Sequence, residues 1–256
     1  ACLQLEKLDK RGVNRALLEL QRTRSAKQLA ATSVRTRRLE QYLPRGPGRS
    51  TCRDIERERR VKYIIDTAPL LNFLAAGEQN ILIQYAKYRR ADLCVPQMVD
   101  LEVHGHFDYP LNRFKGTPAE GTWGKVAGTH IKILPDDFHT AYGQSLMIEL
   151  RFIRPPSANH TKKDLGEDMV MAHAAVLAVQ GHEVEILLDE RKAVERFTHY
   201  ITVHLDRRFP CAGSRITFLT THDLVAVCQP EWMSKTRDRD ALIKSLARFD
   251  DGLVAG

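Results

Sequence analysis

The chain has 256 residues, a formal net charge of +7 and 43% hydrophobic residues. A chain of this length can bury one domain of ordinary size and still carry an appendage. The apolar runs are far shorter than a bilayer span, and the first residues lack the apolar core of a signal peptide. We therefore expect a soluble cytoplasmic protein without membrane partners.

The cysteines are odd in number, widely spaced and without a CxxC pair, at positions Cys2, Cys52, Cys94, Cys211 and Cys228. A disulfide framework requires pairs, and thiolate zinc sites usually bring cysteines close together in sequence. Both are therefore disfavoured. We expect reduced thiols that are mostly buried.

The positive charge is concentrated before residue 61. Residues 1–60 carry 16 Lys and Arg against 7 Asp and Glu, a net of +9, whereas the rest of the chain is slightly acidic. Leucines and a valine recur there at loose helical spacing, and a Pro- and Gly-rich linker follows at 44–50. The pattern predicts a basic helical arm that is attracted to a polyanion, or else a solvated or disordered basic face.

The segment 61–77, VKYIIDTAPLLNFLAAG, predicts a buried strand that stops at Asp66 and is followed at once by a helix. In open α/β sheets ligands bind at the carboxyl ends of the strands, where Asp66 is expected. The alternative is that Asp66 only caps the following helix.

The next part of the chain predicts a helix over 79–90 and a strand over 93–95, with Pro96 in the first turn of a second helix that contains Glu102. Gly105 is expected to loosen that helix. Residues 106–128 are rich in Gly, Pro and polar side chains, and this composition predicts an exposed insertion, either a substrate flap or an ornament.

The remaining pattern alternates strands with helices. We predict strands over 130–134, 183–188 and 216–219, and helices over 136–152, 163–180, 191–200 and 239–249. This alternation predicts a three-layer α/β/α sandwich with a central parallel sheet over 61–230. Residues 231–256 are then a C-terminal helix and tail that pack on the outside or on a partner.

Carboxylates recur at the predicted strand ends and helix starts. Asp66 and Asp189 end parallel strands, Glu167 and Asp168 lie near a helix start, and Glu102 lies about two turns into its helix. Acids that crowd one sheet edge repel unless a cation neutralises them. Oxygen ligands suit Mg²⁺ or Mn²⁺, and such ions can activate water for phosphodiester cleavage.

Four segments in this order, IIDTAPLLNFL, VPQMVDLEV, LGEDMVMAHAAVLA and VEILLDERKA, resemble the acidic motifs of PIN-domain ribonucleases, a family that includes the toxins of VapBC systems. The resemblance covers about residues 61 to 230. It implies a PIN-like fold and a metal-dependent endoribonuclease with RNA as substrate. An antitoxin protein and a second copy of the chain are the implied protein partners.

By this resemblance the metal ligands are Asp66, Glu102, Glu167 and Asp189, with Asp168 as the alternative third acid. Glu190 stands where a second Asp is common in the fourth motif, so a longer side chain reaches toward the metal there. The insertion between the second and third motifs is longer than in compact toxins, which bears on substrate choice rather than on chemistry.

Other readings compete with this one. His104 and His106 could form a transition-metal site, but two residues apart on a helix they point to different faces, which favours solvent-exposed histidines. A haloacid-dehalogenase-like phosphatase would need a second Asp where this chain has Ala68. A PIN-like DNA nuclease is a further alternative, and so is a non-catalytic nucleic-acid-binding protein with a degenerate acid cluster.

Overall fold

A sheet of five parallel strands runs through the computed structural model, which describes residues 61–108, 113–154 and 165–249. The strands are β1 (Val61–Ile65), β2 (Ala91–Pro96), β3 (Lys132–Leu134), β4 (Val184–Leu187) and β5 (Ile216–Leu219), in the order β3-β2-β1-β4-β5. The predicted parallel sheet with alternating helices is thereby confirmed. The predictions for residues 1–60 lie outside the described residues.

Helices connect the strands and flank the sheet. They are α1 (Thr67–Ala76), α2 (Gln79–Tyr88), α3 (Gln97–Asp108), α4 (Ala119–Val126), α5 (Ala141–Ile153), α6 (Leu165–Val179), α7 (Arg191–Tyr200), α8 (Thr221–Val227) and α9 (Arg239–Leu246). α7 continues through a π-helical segment (Ile201–Leu205) and one short turn (Asp206–Arg208). Two 3₁₀ turns, Gly213–Arg215 and Pro230–Trp232, complete the described elements.

β1 lies at the centre of the sheet because its apolar side chains are buried on both faces. Tyr63, Ile64 and Ile65 are fully buried, and β1 pairs with β2 on one side and β4 on the other. The strand order therefore reverses between β1 and β4. In open α/β sheets the crevice at such a reversal is where ligands bind.

α6 is the most deeply buried helix described, because small and apolar residues occupy nearly its whole length. It packs on four strands and on α5. α9 packs on α1 and α8, and its Leu242 and Leu246 are fully buried in the same core. No helix in the described part of the chain combines the length and apolarity that crossing a membrane requires.

The prediction of an exposed insertion over 106–128 holds only in part: most of its described residues are exposed, whereas Phe114, Ala119, Trp123 and Val126 are buried. α3 continues through Gly105 to Asp108, so the expected loosening at Gly105 does not occur. α4 then forms, and its Trp123 is buried and donates from Nε1 to Asp100 Oδ1 at 2.9 Å. A buried indole removes a large apolar area from water, and that burial anchors a segment whose composition is otherwise polar.

Two predicted helix starts were also misplaced. Pro96 is the last residue of β2 rather than part of the next helix's first turn. The helix expected from 136 begins at Ala141, because the Thr140 hydroxyl accepts the Gly143 N–H at 3.0 Å and caps the first turn.

The described cysteines are free thiols, as expected. Cys94 and Cys228 are buried, and Cys211 is exposed. Cys2 and Cys52 lie outside the described residues.

Candidate active site at the reversal of strand order

Asp66 and Asp189 flank the crevice where the strand order reverses. Asp66 directly follows β1, and its N–H donates to Leu187 O at the end of β4 at 3.1 Å. Asp189 comes two residues after β4 ends. Both were predicted as the last residues of their strands; instead Asp66 is the first residue beyond β1 and Asp189 the second beyond β4, on the carboxyl edge of the sheet.

Asp66 occupies the N-cap position of α1, yet its side chain makes no capping hydrogen bond. The first-turn amides of Thr67 and Ala68 still act on its carboxylate, so part of the helix-cap alternative is retained. Asp66 is 6% exposed. Its pKa is raised to about 7, mainly by burial and also by the charges of Glu102 and Asp189, against the hydrogen bonds from the Thr67 and Ala68 amides, which lower it. A dry site and like charges therefore both disfavour ionised Asp66.

Glu102 joins the starts of two helices to the site. The Thr67 hydroxyl in α1 donates to Glu102 Oε2 at 2.6 Å, and the Gly166 N–H in α6 donates to Glu102 Oε1 at 3.0 Å. A Cβ at position 166 would lie 2.3 Å from Oε2, so the carboxylate occupies the space that a side chain there would need. Burial raises the pKa of Glu102 against these two donors.

Glu167 faces the other acids. Its pKa rises to about 8 because it is partly buried and because Asp66 and Glu190 lie near it, while the Arg196 guanidinium opposes the rise. Arg196 Nη2 donates to Glu167 Oε2 at 3.0 Å. The charge of this single arginine does not offset the two carboxylates and the desolvation.

Asp168, the alternative third ligand, has a different environment. Its carboxylate is fully buried and pairs with two guanidinium groups, those of Arg196 and of Arg154, whose Nη1 lies 3.1 Å from Oδ2. The two acids that follow Gly166 therefore have different surroundings. Glu167 interacts with the other carboxylates of the crevice, and Asp168 pairs with Arg154 and Arg196.

The fourth motif contributes one oriented acid and one exposed acid. Asp189 accepts the Thr221 N–H and the Thr221 hydroxyl, both at 2.6 Å, and this pair of bonds ties the segment after β4 to the start of α8. Glu190 is exposed at the N-cap position of α7 and makes no capping bond. Its charge acts on Glu167.

Five carboxylates thus interact across the crevice, those of Asp66, Glu102, Glu167, Asp189 and Glu190. As these side chains stand, no group of three or more His, Cys, Asp or Glu within residues 61–108, 113–154 and 165–249 is placed to hold one metal ion.

The donor set nevertheless fits a hard divalent cation. Mg²⁺ keeps several waters and needs only one or two protein carboxylates. Asp66 and Glu167 supply two such groups, and burial together with neighbouring carboxylates raises the pKa of both. The transition-metal alternative gains no support, since His104 and His106 are exposed and His104 Nε2 lies 3.4 Å from Asp100.

Several residues of the site were missed by sequence analysis. Thr67 directly follows Asp66 and Gly166 directly precedes Glu167, so adjacency to a predicted ligand was an available signal. Thr221 lies at a predicted strand end but 32 residues from Asp189. Arg196 carried no signal, because a charged residue on an amphipathic helix is normally solvent-facing.

Comparison of the chain with protein-family models, curated proteins and solved structures finds no match. The resemblance to PIN-domain ribonucleases therefore depends on the four segments quoted above. The arrangement of the carboxylates carries the functional proposal.

Proposed function

We propose that this protein is a divalent-metal-dependent nuclease that hydrolyses RNA phosphodiester bonds. One observation carries the proposal: acids from four distant segments lie at the reversal of strand order, after β1, within α3, at the start of α6 and after β4, and act on one another electrostatically. Like charges in a partly buried crevice destabilise a fold unless a cation compensates them. Such a concentration of uncompensated charge is typical of a ligand site rather than of packing.

Asp66 and Glu167 would hold Mg²⁺ or Mn²⁺, with Glu102 and Asp189 completing the acidic surround and Glu190 at its rim. The ion, when bound, would supply an activated water and offset charge on the phosphate. The chain's own contribution is orientation. Thr67 and Gly166 fix Glu102, and Thr221 fixes both oxygens of Asp189, so these carboxylates are positioned before any ligand arrives.

We propose a PIN-like nuclease as the class. The support is the order of the four acidic segments along the chain together with the positions of their acids at one edge of a parallel sheet. An antitoxin or a second copy of the chain is the partner that the VapBC resemblance implies. Asp168 is the exception, since its two arginine partners favour a supporting role over metal ligation.

Asp66→Asn tests the proposal. The substitution removes a charged ligand at nearly constant volume, so cleavage of RNA in Mg²⁺ or Mn²⁺ should fall by at least about a hundredfold, with an unchanged circular dichroism spectrum. Asp92→Asn is the matched control, because Asp92 lies in β2 and pairs with Lys62 at 2.7 Å, away from the crevice. It should cleave normally.

Near-normal cleavage by Asp66→Asn would refute the site. If the wild-type protein binds RNA but cuts neither RNA nor DNA in either metal, the non-catalytic nucleic-acid-binding alternative is favoured instead.

RNA as the polyanion is tested separately through the basic residues before 61. Each phosphate neutralised on a single strand contributes about 0.7 to the slope of log affinity against log salt. Replacing Arg35, Arg37 and Arg38 with Gln should therefore weaken RNA binding and lower that slope by about 2, while leaving cleavage at saturating substrate unchanged. An unaltered slope would assign the basic segment to another partner.

A further inference from the structure

Arg196 holds two neighbouring carboxylates at once. Its Nη2 donates to Glu167 Oε2 at 3.0 Å, and its Nη1 pairs with Asp168 Oδ1. The arginine side chain remains 31% exposed, whereas Asp168 has no exposed surface. One guanidinium thus links a crevice acid to a fully buried acid.

Arg196 has contacts other than the one with Glu167. Its guanidinium also forms an ion pair with Asp168 and lies over the Phe197 ring, 4.8 Å from its centroid. Arg154 supplies a second cation to Asp168. If Glu167 took another partner, Asp168 and Phe197 would still keep Arg196 at the crevice.

A divalent ion that binds Glu167 must compete with Arg196 for its carboxylate. Besides Arg196, Glu167 faces the charge of Asp66 and the carboxyl group of Glu190, to which it is also hydrogen-bonded, and Arg196 is the cation that lies against them. A metal ion that binds Glu167 takes over this neutralising role. The planar guanidinium, released on one side, then presents a fork of N–H donors that matches a phosphate.

We propose that Arg196 is an exchangeable counter-ion, paired with Glu167 in the metal-free protein and with a substrate phosphate once a divalent ion occupies Glu167. This inference rests on the proposed nuclease function. It assigns to Arg196 two opposite effects: the guanidinium lowers the affinity for the metal and raises the affinity for the substrate.

The first effect is measured by titrating Mn²⁺ into Arg196→Gln in a calorimeter, without substrate. Loss of the competing cation should tighten Mn²⁺ binding about fivefold, the size expected for a partly exposed ion pair. Arg191→Gln is the matched control: it removes the same charge from the same helix, but Arg191 is 90% exposed and pairs with Glu195. Its Mn²⁺ affinity should change less than twofold.

The second effect is measured as KM and kcat on a short RNA at saturating Mn²⁺. Arg196→Gln should raise KM about tenfold, because a phosphate contact is lost, and Arg191→Gln should not. Arg196→Lys keeps the charge but cannot span two carboxylates, so both shifts should be intermediate. This variant also decides the question if Arg196→Gln leaves Asp168 too poorly compensated to fold.

Equal Mn²⁺ affinity in Arg196→Gln, Arg196→Lys and Arg191→Gln overturns this inference and leaves the nuclease proposal standing. A purely structural role for Arg196 predicts weaker Mn²⁺ binding, the opposite sign. Failure of the wild-type protein to bind Mn²⁺ at all overturns the proposed function, and the exchange falls with it.

Discussion

Two buried acids precede the first two helices, and the protein treats them in opposite ways. Asp66 stands at the N-cap position of α1, and Glu78 stands at that of α2. Neither side chain caps its helix, and both are buried. Their sequence settings are therefore alike, and the difference between them arises from what the rest of the fold brings near.

Glu78 is surrounded by donors. Its carboxylate accepts the N–H groups of Ser234, Lys235 and Thr236 at 2.6 to 2.8 Å, and the Thr236 hydroxyl at 2.9 Å. The C-terminal segment before α9 folds onto this one carboxylate. A buried acceptor that keeps four hydrogen bonds is costly to disturb, so Glu78 is a structural part of the fold.

Asp66 is surrounded by acids instead, and its pKa is raised to about 7. The Glu78 carboxylate has four donors, whereas Asp66 has the amides of Thr67 and Ala68 set against burial and the charges of Glu102 and Asp189. The contrast separates a structural acid from a ligand site without reference to sequence motifs. It also predicts that replacing each acid with its amide changes the free energy of unfolding in opposite directions.

The largest effect is expected for Glu78→Gln. The amide places an N–H₂ group where backbone donors converge, so the free energy of unfolding should fall by about 4 kcal/mol. Urea denaturation at pH 7 measures it. Asp223→Asn serves as a control at an exposed acid of a capping box, where a loss of about 1 kcal/mol is expected. A loss at Glu78 no larger than this would remove the contrast.

Asp66→Asn should raise the free energy of unfolding when divalent metal is chelated. Because the folded pKa of Asp66 is raised, the native state binds the proton more tightly, and this stabilisation is lost as pH rises from about 4 to about 7. At pH 8 the variant escapes that loss and should be more stable by up to about 4 kcal/mol, the linkage value of a shift of about three pKa units. At pH 4 the two proteins should be equal.

Denaturation of both proteins in EDTA across this pH range provides the measurement. A variant that is less stable than wild type at pH 8 would show that Asp66 is supported by the protein as Glu78 is.

Mn²⁺ should restore the stability that the native state loses when these acids ionise. At ten times its dissociation constant a ligand that binds only the native state stabilises it by about 1.4 kcal/mol. The melting temperature of the wild-type protein at pH 8 should therefore rise with Mn²⁺, and that of Glu78→Gln should rise equally from its lower start. Asp66→Asn should respond much less. A wild-type melting temperature indifferent to millimolar Mn²⁺ contradicts a preformed site.

The smallest effect is expected for Thr67→Val, which removes the hydroxyl donor to Glu102 Oε2. Since the Gly166 N–H remains, the free energy of unfolding should fall by only about 1 kcal/mol. Thr67→Ser keeps the hydroxyl and should lose less. If the two variants are equally destabilised, methyl packing rather than the bond to Glu102 accounts for the loss.

Sequence pattern was sufficient for the sheet and for its acidic edge. Buried β-branched runs ending at Asp66 and Asp189 specify strands, and parallel strands share one carboxyl edge, so the approach of these two acids followed from topology. Glu102 was placed with less certainty because its position depends on where α3 begins. The structure starts α3 at Gln97 and so puts Glu102 in its second turn.

The sequence pattern could not predict contacts between distant segments. The four donors to Glu78 lie more than 150 residues away in sequence, and nothing in Glu78's own surroundings predicts them. Trp123 was hidden in a glycine-rich segment whose composition predicts a loop, although its burial decides the local structure. Periodicity reports the local face of an element, whereas these contacts depend on which elements the fold brings together.

The contact between Glu102 and Gly166 also has an evolutionary consequence. Because the carboxylate fills the space of a missing Cβ, positions 102 and 166 form a single steric unit across 64 residues of chain. In homologous chains the two positions should therefore covary: glycine with glutamate, and a residue that carries a Cβ with a shorter acid. A Cβ gained at position 166 while Glu102 stays in place would clash with its carboxylate.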